Sequence, residues 1–534
     1  MSFDIVFKLS SNKIAFLVEL LVVFLAGFGF IPKEAVLFLT GFLIFYLLCA
    51  PLKESFLLFL ASIPLFVALP LNASFDHMAN WRLLAVALFF SFLLEKGVWR
   101  ISFWREKLKR GFGSLGARLK KPTLFEILLL LFLLILAFSL LSAQSLGLGL
   151  KKIAFLVNLF LIYPIVKSLL AQNADYLKRI LKASLVALGT IILFALLQLV
   201  LVFFLPLHTF WQFWASGFID VFYGSALSEL LQKSNTWFAY FQNQPPTLRL
   251  FSVFPDSHSF ALFLVLSLPA LIGAGFLLKK KSLKAGISVL AFLSFLGIAL
   301  SGSRGAWLSS LAALGAILAA LWLKGRPVNE AVKVNLKVLA LFAAAFLASW
   351  LYPSLLYMAQ DYQETGRAEF KRSMAFFERA KSISDASEIS NRGRLEIWDS
   401  SLKTIAQKPL SGVGAGNFVA VLGEDPANAK KGASAHNLYL DFGSEAGVLA
   451  MVVLAFIFVE ILKMSWHLYD IKKGFFAVFF LALTVYTAWV LGYSLFDVVL
   501  LNDKVFLLFA VWLAVINHFY LRIEKNGKTE DFLG

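Results

Sequence analysis

Apolar runs close to the length of a bilayer crossing recur along the whole chain, and no other feature constrains its fold as strongly. A helix needs about 20 apolar residues to span hydrocarbon. By that measure we expect about 12–14 spans, near 14–31, 35–50, 55–70, 82–95, 123–141, 153–170, 183–205, 260–278, 285–301, 304–323, 334–352, 446–463, 475–494 and 505–521. In lipid every backbone polar group needs an internal partner, so such runs fold as α-helices. The expected class is an all-α polytopic integral membrane protein. The runs 35–50, 55–70 and 82–95 are short and are expected to be tilted, merged or re-entrant. Composition agrees, with 60% hydrophobic and 15% charged residues, against roughly 45–50% and about 25% in soluble domains. The first run is long and lacks a small-residue cleavage site, so it is expected to be retained. The single cysteine, Cys49, lies in an apolar run and excludes an intrachain disulfide.

The net charge of +17 would suggest nucleic acid in a soluble protein. Here the basic residues instead gather in short connections, as cytoplasmic loops do, and no nucleic-acid partner is expected. Residues 96–121 hold nine Lys and Arg, Lys279–Lys281 with Lys284 form a second cluster, and Lys324/Arg326 and Lys472/Lys473 mark two more. Threading the spans puts these clusters and both termini in the cytoplasm. Lys151 and Lys152 fall on the other side and are the exception. The opposite face receives 206–258, the Ser301–Gly305 turn, 353–445 and the stretch from Asp497 to Lys504.

Five regions follow from this threading. Residues 1–205 form an N-terminal transmembrane bundle. Within it, Trp104, Leu108, Phe112, Leu115 and Leu119 place one apolar stripe on 97–121, read as a basic interfacial helix lying on an anionic leaflet. Residues 206–258 are an external loop rich in Trp and Phe (Phe210, Trp211, Phe213, Trp214, Trp237, Phe238), read first as an aromatic belt and second as a surface for lipid or sugar. Residues 259–352 are spans carrying the Ser-Gly-Ser-Arg-Gly turn. Residues 353–445, with about eleven basic and twelve acidic residues, form a large, mostly helical external cap with helices near 364–382 and 391–407. Residues 446–534 are C-terminal spans. No internal repeat is visible, which argues against transporter folds built from duplicated halves.

The chemistry gathers on the external side. In the cap, Leu395, Trp398, Leu402 and Ile405 repeat at helical spacing. Pro409, Gly412, Gly414 and Gly416 then impose a turn. The Gly-Val-Gly-Ala-Gly string neither follows a strand nor opens a β-α-β unit, so it is not read as a nucleotide loop. His436 stands at the water boundary just before the next apolar run. Gly443 and Gly447 lie on its face and would let another helix pack close. Arg249, Arg304 and Arg394 are cations where topology disfavours them. Arg304 lies in a turn whose backbone N–H groups open a helix, a natural anion site. Snorkelling is its structural alternative. His258 is read first as a cap for the following helix and second, with Asp256, as a site residue. His77 and His208 are read as interfacial, and His467 and His518 as uninvolved.

His436-Asn437 followed after nine residues by Gly447 resembles the signature of the O-antigen ligase and polymerase family of bacterial membrane glycosyltransferases. The preceding Arg394…Trp398…Pro409-Leu410…Gly412-Val413-Gly414…Phe418 string looks like the segment leading into it. The strings around Arg249 and Arg304 look like positions that the family uses to hold the diphosphate of a polyprenyl-linked glycan. The resemblance covers roughly 245–520. It implies a GT-C-like membrane enzyme at the periplasmic face of the inner membrane, with an undecaprenyl-diphosphate glycan as donor and lipid A-core, another glycan or a protein side chain as acceptor, the first being the ligase reading preferred here.

Residue chemistry is consistent with that implication. The external acids Asp361, Glu364, Asp399, Glu424 and Asp425 form no convincing metal-binding pair, so neither a metal nor another cofactor is expected. Arginines stay charged and can bind phosphate bidentately. An imidazole, with an unperturbed pKa near 6.5, suits proton acceptance at neutral pH. His436 and Arg304 are the expected catalytic residues, and Arg249, Arg304 and Arg394 the diphosphate ligands. Should His436 only bind phosphate, Glu364, Glu388 or Glu396 could serve as base. Two rival readings remain: a lipid-linked glycan flippase, with charges buried at mid-membrane, and a non-catalytic scaffold, in which Arg249, Arg304 and His436 would not converge.

Overall fold

The computed structural model describes residues 11–72, 76–97, 122–233, 237–241, 244–324, 330–352, 389–423 and 433–526. Among them are ten helices long and apolar enough to cross a membrane, so the chain is an all-α polytopic membrane protein. The first four apolar runs give shorter helices, Ser11–Gly27, Ala35–Cys49, Leu52–Ala61 and Trp81–Glu95. The third run breaks after ten residues into a 3-10 turn, Ile63–Leu65, and a two-residue strand, Ala68–Leu69, which pairs with Met78–Ala79. Pro64 has no N–H to continue the helical ladder, which accounts for the break. Glu19, in the first helix, is fully buried and accepts a hydrogen bond from Ser62 Oγ.

Three helices form the interior: Ser257–Leu277, Gly474–Tyr493 and Asp503–Asn526. Gly474–Tyr493 is central, packing on Ser257–Leu277, Arg304–Lys324, Glu330–Ser349 and Val448–Ile471. A helix that is apolar all round must be enclosed by protein or lipid, and these three are enclosed by their neighbours. Perimeter helices instead leave large side chains uncovered, such as Leu311, Leu318 and Trp322. Water drives little association between helices in lipid, so close approach at small residues matters more. Gly297 faces Phe260 and Leu264, and Gly492 faces Ser309 and Ala312.

The described part of the connection 206–258 packs into the bundle. The aromatic loop 206–258 becomes three short helices, a π-helical turn and a hairpin, Phe238–Phe241 with Gln244–Leu248. Phe210, Trp211, Trp214 and Trp237 are buried, and Trp237 stacks on Phe251 at 4.2 Å. Neither the aromatic belt nor a ligand surface describes these four rings. They are packing, because each finds an aromatic partner inside. The helix 97–121, the proposed cap helix 364–382, and Glu364 and Glu388 lie outside the described residues.

The cap helix Ile389–Gln407 is present, but its face is not the expected one. Leu395 and Leu402 remain 50% and 56% exposed, while Ser401 is buried and Trp398 donates to the Ala435 carbonyl at 2.9 Å. The indole's hydrogen bond and the covered Ser401 set the rotation of the helix, not the leucine stripe.

Packing at Gly297 gives a test. A Cβ there would stand 2.8 Å from Leu264 Cδ1 and 3.0 Å from Phe260 Cζ, whereas at Gly286 it meets nothing within 4 Å. Gly297→Val is expected to destabilise the protein by about 1–3 kcal/mol through overpacking. Gly286→Ala should be neutral or stabilise by up to about 1 kcal/mol through helix propensity. Thermal unfolding in detergent distinguishes the pair.

Candidate active site

Four chain segments that open or close helices meet at one end of the bundle. They are the approach to Ser257–Leu277, the turn between Lys281–Leu300 and Arg304–Lys324, the loop before Leu438–Ala446, and the exit from Gly474–Tyr493. Lys279–Lys281 and Lys472–Lys473 lie at the other end of these helices, a helix length of about 30 Å away.

Arg249 is fixed by its surroundings. Its N–H donates to the Trp237 carbonyl at 2.7 Å, and the next residue, Leu250, donates to the Leu300 carbonyl at 3.0 Å. Ser252 takes a left-handed φ of 53° and is held from both sides by buried Gln198. Gln198 Oε1 accepts the Ser252 N–H at 2.7 Å, and its Nε2 donates to the Ser252 carbonyl at 3.1 Å. The Arg249 guanidinium then donates to the Ser301 carbonyl at 3.2 Å and meets His258 Nε2 at 3.0 Å. Burial, together with the charges of Arg304 and Arg394, pulls its pKa down to about 10, which still leaves it cationic at neutral pH. Both of those arginines therefore lie within electrostatic reach of Arg249. Arg304 and Arg394 are half-buried.

His258 is not a helix cap. Asp256 takes that role, accepting from Ser259 N at 2.7 Å and Ser259 Oγ at 2.8 Å. A short carboxylate reaches first-turn amides better than an imidazole does. Burial, only partly offset by the Ser259 N–H, pushes the Asp256 carboxyl up. The His258 ring turns inward, with Nδ1 3.0 Å from Ser303 Oγ and 2.9 Å from Tyr493 Oη. Ser303 and Tyr493 are themselves 2.5 Å apart. Gly305 makes room for this contact: a Cβ there would stand 2.9 Å from Phe496 Cβ and 3.0 Å from Tyr493 Cε2.

Asp497 is the centre of the cluster. Its buried carboxylate lies 3.6 Å from His258 Nδ1 on one side and 3.7 Å from His436 Nδ1 on the other. Burial opposes its ionisation. The two facing imidazoles, with Arg394 further off, overcome that and hold the carboxyl down at about 2. Sequence reading placed Asp497 on the right face without singling it out. Alone it resembled any loop acid, and only folding brings two histidines to it.

His436 sits on an unusual backbone, with φ 47°. Left-handed geometry is uncommon outside glycine and persists where neighbours enforce it. On one side Ala435 N donates to Asp441 Oδ1 at 3.0 Å. On the other, Asn437 caps Leu438–Ala446 through Tyr439 N and Leu440 N, and Leu438 N donates to the Ser494 carbonyl at 2.8 Å. The ring keeps 44% of its side-chain surface, yet Nδ1 is buried with no hydrogen-bond partner among the described residues. Its helix ends at Gly447, φ 85°, instead of running on into Val448–Ile471. Gly443 and Gly447 do permit close packing, against Ile405 and the Pro409–Leu410 backbone.

Lys152 holds this loop from beneath. It bridges buried Asp441 at 3.2 Å and buried Glu445 at 2.5 Å. The basic residue on the unexpected side is therefore a neutralised interior cation, which explains its exception to the charge pattern. One cation between two carboxylates leaves a surplus negative charge, and burial pushes the Glu445 carboxyl up. The turn 412–416 is threaded alongside, with Val413 N and Gly414 N donating to the Ser444 and Glu445 carbonyls at 2.9 and 2.8 Å. Gly414 has φ 92°, and a Cβ there would fall 2.5 Å from Ala143 Cα, so the turn is packing rather than a phosphate loop.

Glu396 does not join the cluster; it is exposed and pairs with Arg392 at 3.0 Å. Among the described residues no group of three or more His, Cys, Asp or Glu side chains is placed to hold a metal ion. Taken together, the site offers a cationic wall, two imidazoles and a buried carboxylate between them. Such a set can bind a multiply charged anion and move a proton.

Removing Lys152 would leave two buried carboxylates without their cation. Lys152→Met is expected to cost about 3–5 kcal/mol, and Lys152→Arg should retain most of it, as read by thermal unfolding. Asp497 gives a pH signature. Its carboxyl is depressed in the fold from 3.8 to about 2. The corresponding stability, on the order of 2 kcal/mol, is present above about pH 4 and is lost as pH falls through 2. The stability difference between wild type and Asp497→Asn should shrink by that amount across this window, measured by chemical denaturation.

Residues 289–455 match the family model described as O-antigen ligase. That span holds the Arg304 turn, the cap helix with Arg394, the 412–416 turn and His436 with its glycines, while Arg249, His258, Tyr493 and Asp497 lie beyond it. No curated protein matches the sequence. The segment that carries His436, Arg304 and Arg394 is thus similar to the O-antigen ligase family.

Proposed function

We propose that this chain is an O-antigen ligase-type enzyme, which moves a glycan from undecaprenyl diphosphate to lipid A-core. It acts at the periplasmic face of the bacterial inner membrane, with both termini in the cytoplasm. The observation that carries this reading is the meeting of arginines and imidazoles around one buried carboxylate at a single end of the helices. The lysine-bearing turns at the other end support the orientation.

As the bond from sugar C1 to the diphosphate oxygen breaks, negative charge grows on the leaving group. Guanidiniums fixed beside it stabilise that charge without reorganising. Arg249, Arg304 and Arg394 fill this role, so the scheme uses no metal. Asp497 faces His436 Nδ1. That leaves Nε2 to take the proton of the acceptor hydroxyl. The acceptor oxygen attacks C1 from the face opposite the diphosphate, the electron pair of the broken bond leaves with the diphosphate, and the anomeric centre inverts. His258, tied to Ser303, Tyr493 and Arg249, keeps the guanidinium aimed.

The test is transfer by purified protein in detergent, with a polyprenyl-diphosphate glycan, lipid A-core and a chelator. A larger lipid A product is expected. Arg304→Ala and His436→Asn should each lower transfer by about 100-fold or more with unchanged melting, asparagine being chosen because it tolerates the left-handed backbone. A fully active Arg304→Ala enzyme would overturn the assignment. Lengthened glycan chains would make the enzyme a polymerase, and glycosylated protein a protein O-oligosaccharyltransferase. Movement of donor between leaflets without any product would favour a flippase.

A further inference from the structure

The helix Ile389–Gln407 keeps an apolar flank uncovered. Leu395 and Leu402 lie two turns apart on one line along it, and Leu410, just past its end, is 63% exposed. Trp398, Ser401 and Ile405 face the protein instead. Beyond the leucines lie two exposed ion pairs, Arg392 with Glu396 at 3.0 Å and Lys403 with Asp399 at 2.6 Å.

This helix sits beside the spans. It packs on Leu438–Ala446, where a Cβ at Gly443 would stand 2.9 Å from Ile405 Cδ1 and 3.5 Å from Met451 of the span Val448–Ile471. Leu438–Ala446 in turn reaches well below the ends of its neighbours. Its Phe442 ring is 5.0 Å from that of Phe132, and its Tyr439 ring 6.0 Å from that of Phe458, both partners near the middle of their spans. The chain leaving the cap helix is tied to two span ends. Val448 N donates to the Pro409 carbonyl at 2.8 Å, and Ser142, the last residue of the span Leu124–Ser142, donates to Ser411 Oγ at 2.7 Å. Exposed Leu410 therefore adjoins Leu141 and Leu449, exposed residues at the ends of those two spans.

We propose that this leucine flank beds in the hydrocarbon of the adjoining leaflet, so that Ile389–Gln407 is an interfacial helix whose partner is the acyl chains of the surrounding lipid. Facing water, the leucines would be an apolar strip without a purpose. On a helix tied to span ends, with charged pairs round its other side, they have the pattern of an interfacial helix. Lipid is favoured over a second protein because the strip adjoins span surfaces that lipid must already cover. The same helix carries Arg394, so its seating sets the depth of that guanidinium. The inference holds whether or not the enzymatic assignment does.

The experiment is spin labelling of the full-length protein in lipid nanodiscs, in a Cys49→Ala background because Cys49 is the single cysteine. The label is placed through Leu395→Cys, Leu402→Cys or Leu410→Cys, with Glu396→Cys and Gln407→Cys as exposed controls on the same helix. Power saturation compares collisions with oxygen, which concentrates in hydrocarbon, and with a water-soluble nickel chelate. The oxygen-to-nickel ratio is expected to be at least about threefold higher at the leucine positions than at the controls. Equal ratios at leucine and control positions would put the helix in water and overturn the proposal. Labels at Leu395 and Leu402 that meet neither reagent would place the flank against protein, from this chain or a second copy, and would overturn it too. Melting in detergent checks that each variant folds. Leu395 and Leu402 report independently, so the loss of one variant still leaves a decision.

Discussion

A carboxylate buried between two imidazoles is the interaction on which the rest of the site depends. An isolated carboxylate in a low-dielectric interior would take up a proton rather than stay charged. Asp497 stays ionised because His258 and His436 face it and arginines stand beyond them. The dependence is mutual. Without the carboxylate, His258 and His436 would lose the acid they share. With it, both imidazoles face one buried acid.

Holding that arrangement takes more of the protein than the cluster itself. Each contributing segment is tied down by a group far away in sequence. Gln198 clamps Ser252 and so positions Arg249. The Ser494 carbonyl takes the Leu438 N–H, and Asp441 takes the Ala435 N–H, so His436 is fixed from both flanks. Lys152, from a helix of the N-terminal half, anchors Asp441. The first 205 residues, which carry no recognisable motif, therefore contribute to the site through Lys152 and Gln198. Rigid support of this kind matters because small displacements of a catalytic group carry large rate penalties.

Much of this was legible in the residues. Apolar run length gave the helices, because a hydrocarbon solvent imposes a length and an internal hydrogen-bonding rule that leave few alternatives. Lys and Arg placement separated the two ends. The cations Arg249, Arg304 and Arg394 stood out because charge was unexpected on their side, and His436 because of its glycine-spaced context. Where the reading missed, a tertiary contact had overruled a local pattern. The leucine stripe of the cap helix yielded to Trp398 and Ser401, the aromatic loop turned inward because its rings found each other, and His258 left its capping position to a better acceptor, Asp256.

The sequence by itself determined the solvent of this protein and the class of its fold. Each is a property of one segment or of summed composition, and so can be read without knowing which segments meet. Only the tertiary structure decided that Asp497 is the counter-ion, that Tyr493 and Ser303 hold His258, and that Lys152 is interior. Those are pairings between residues dozens to hundreds of positions apart. A lone acid, tyrosine or lysine carries no mark of its future partner, and its role exists only once burial raises the cost of leaving it unpaired.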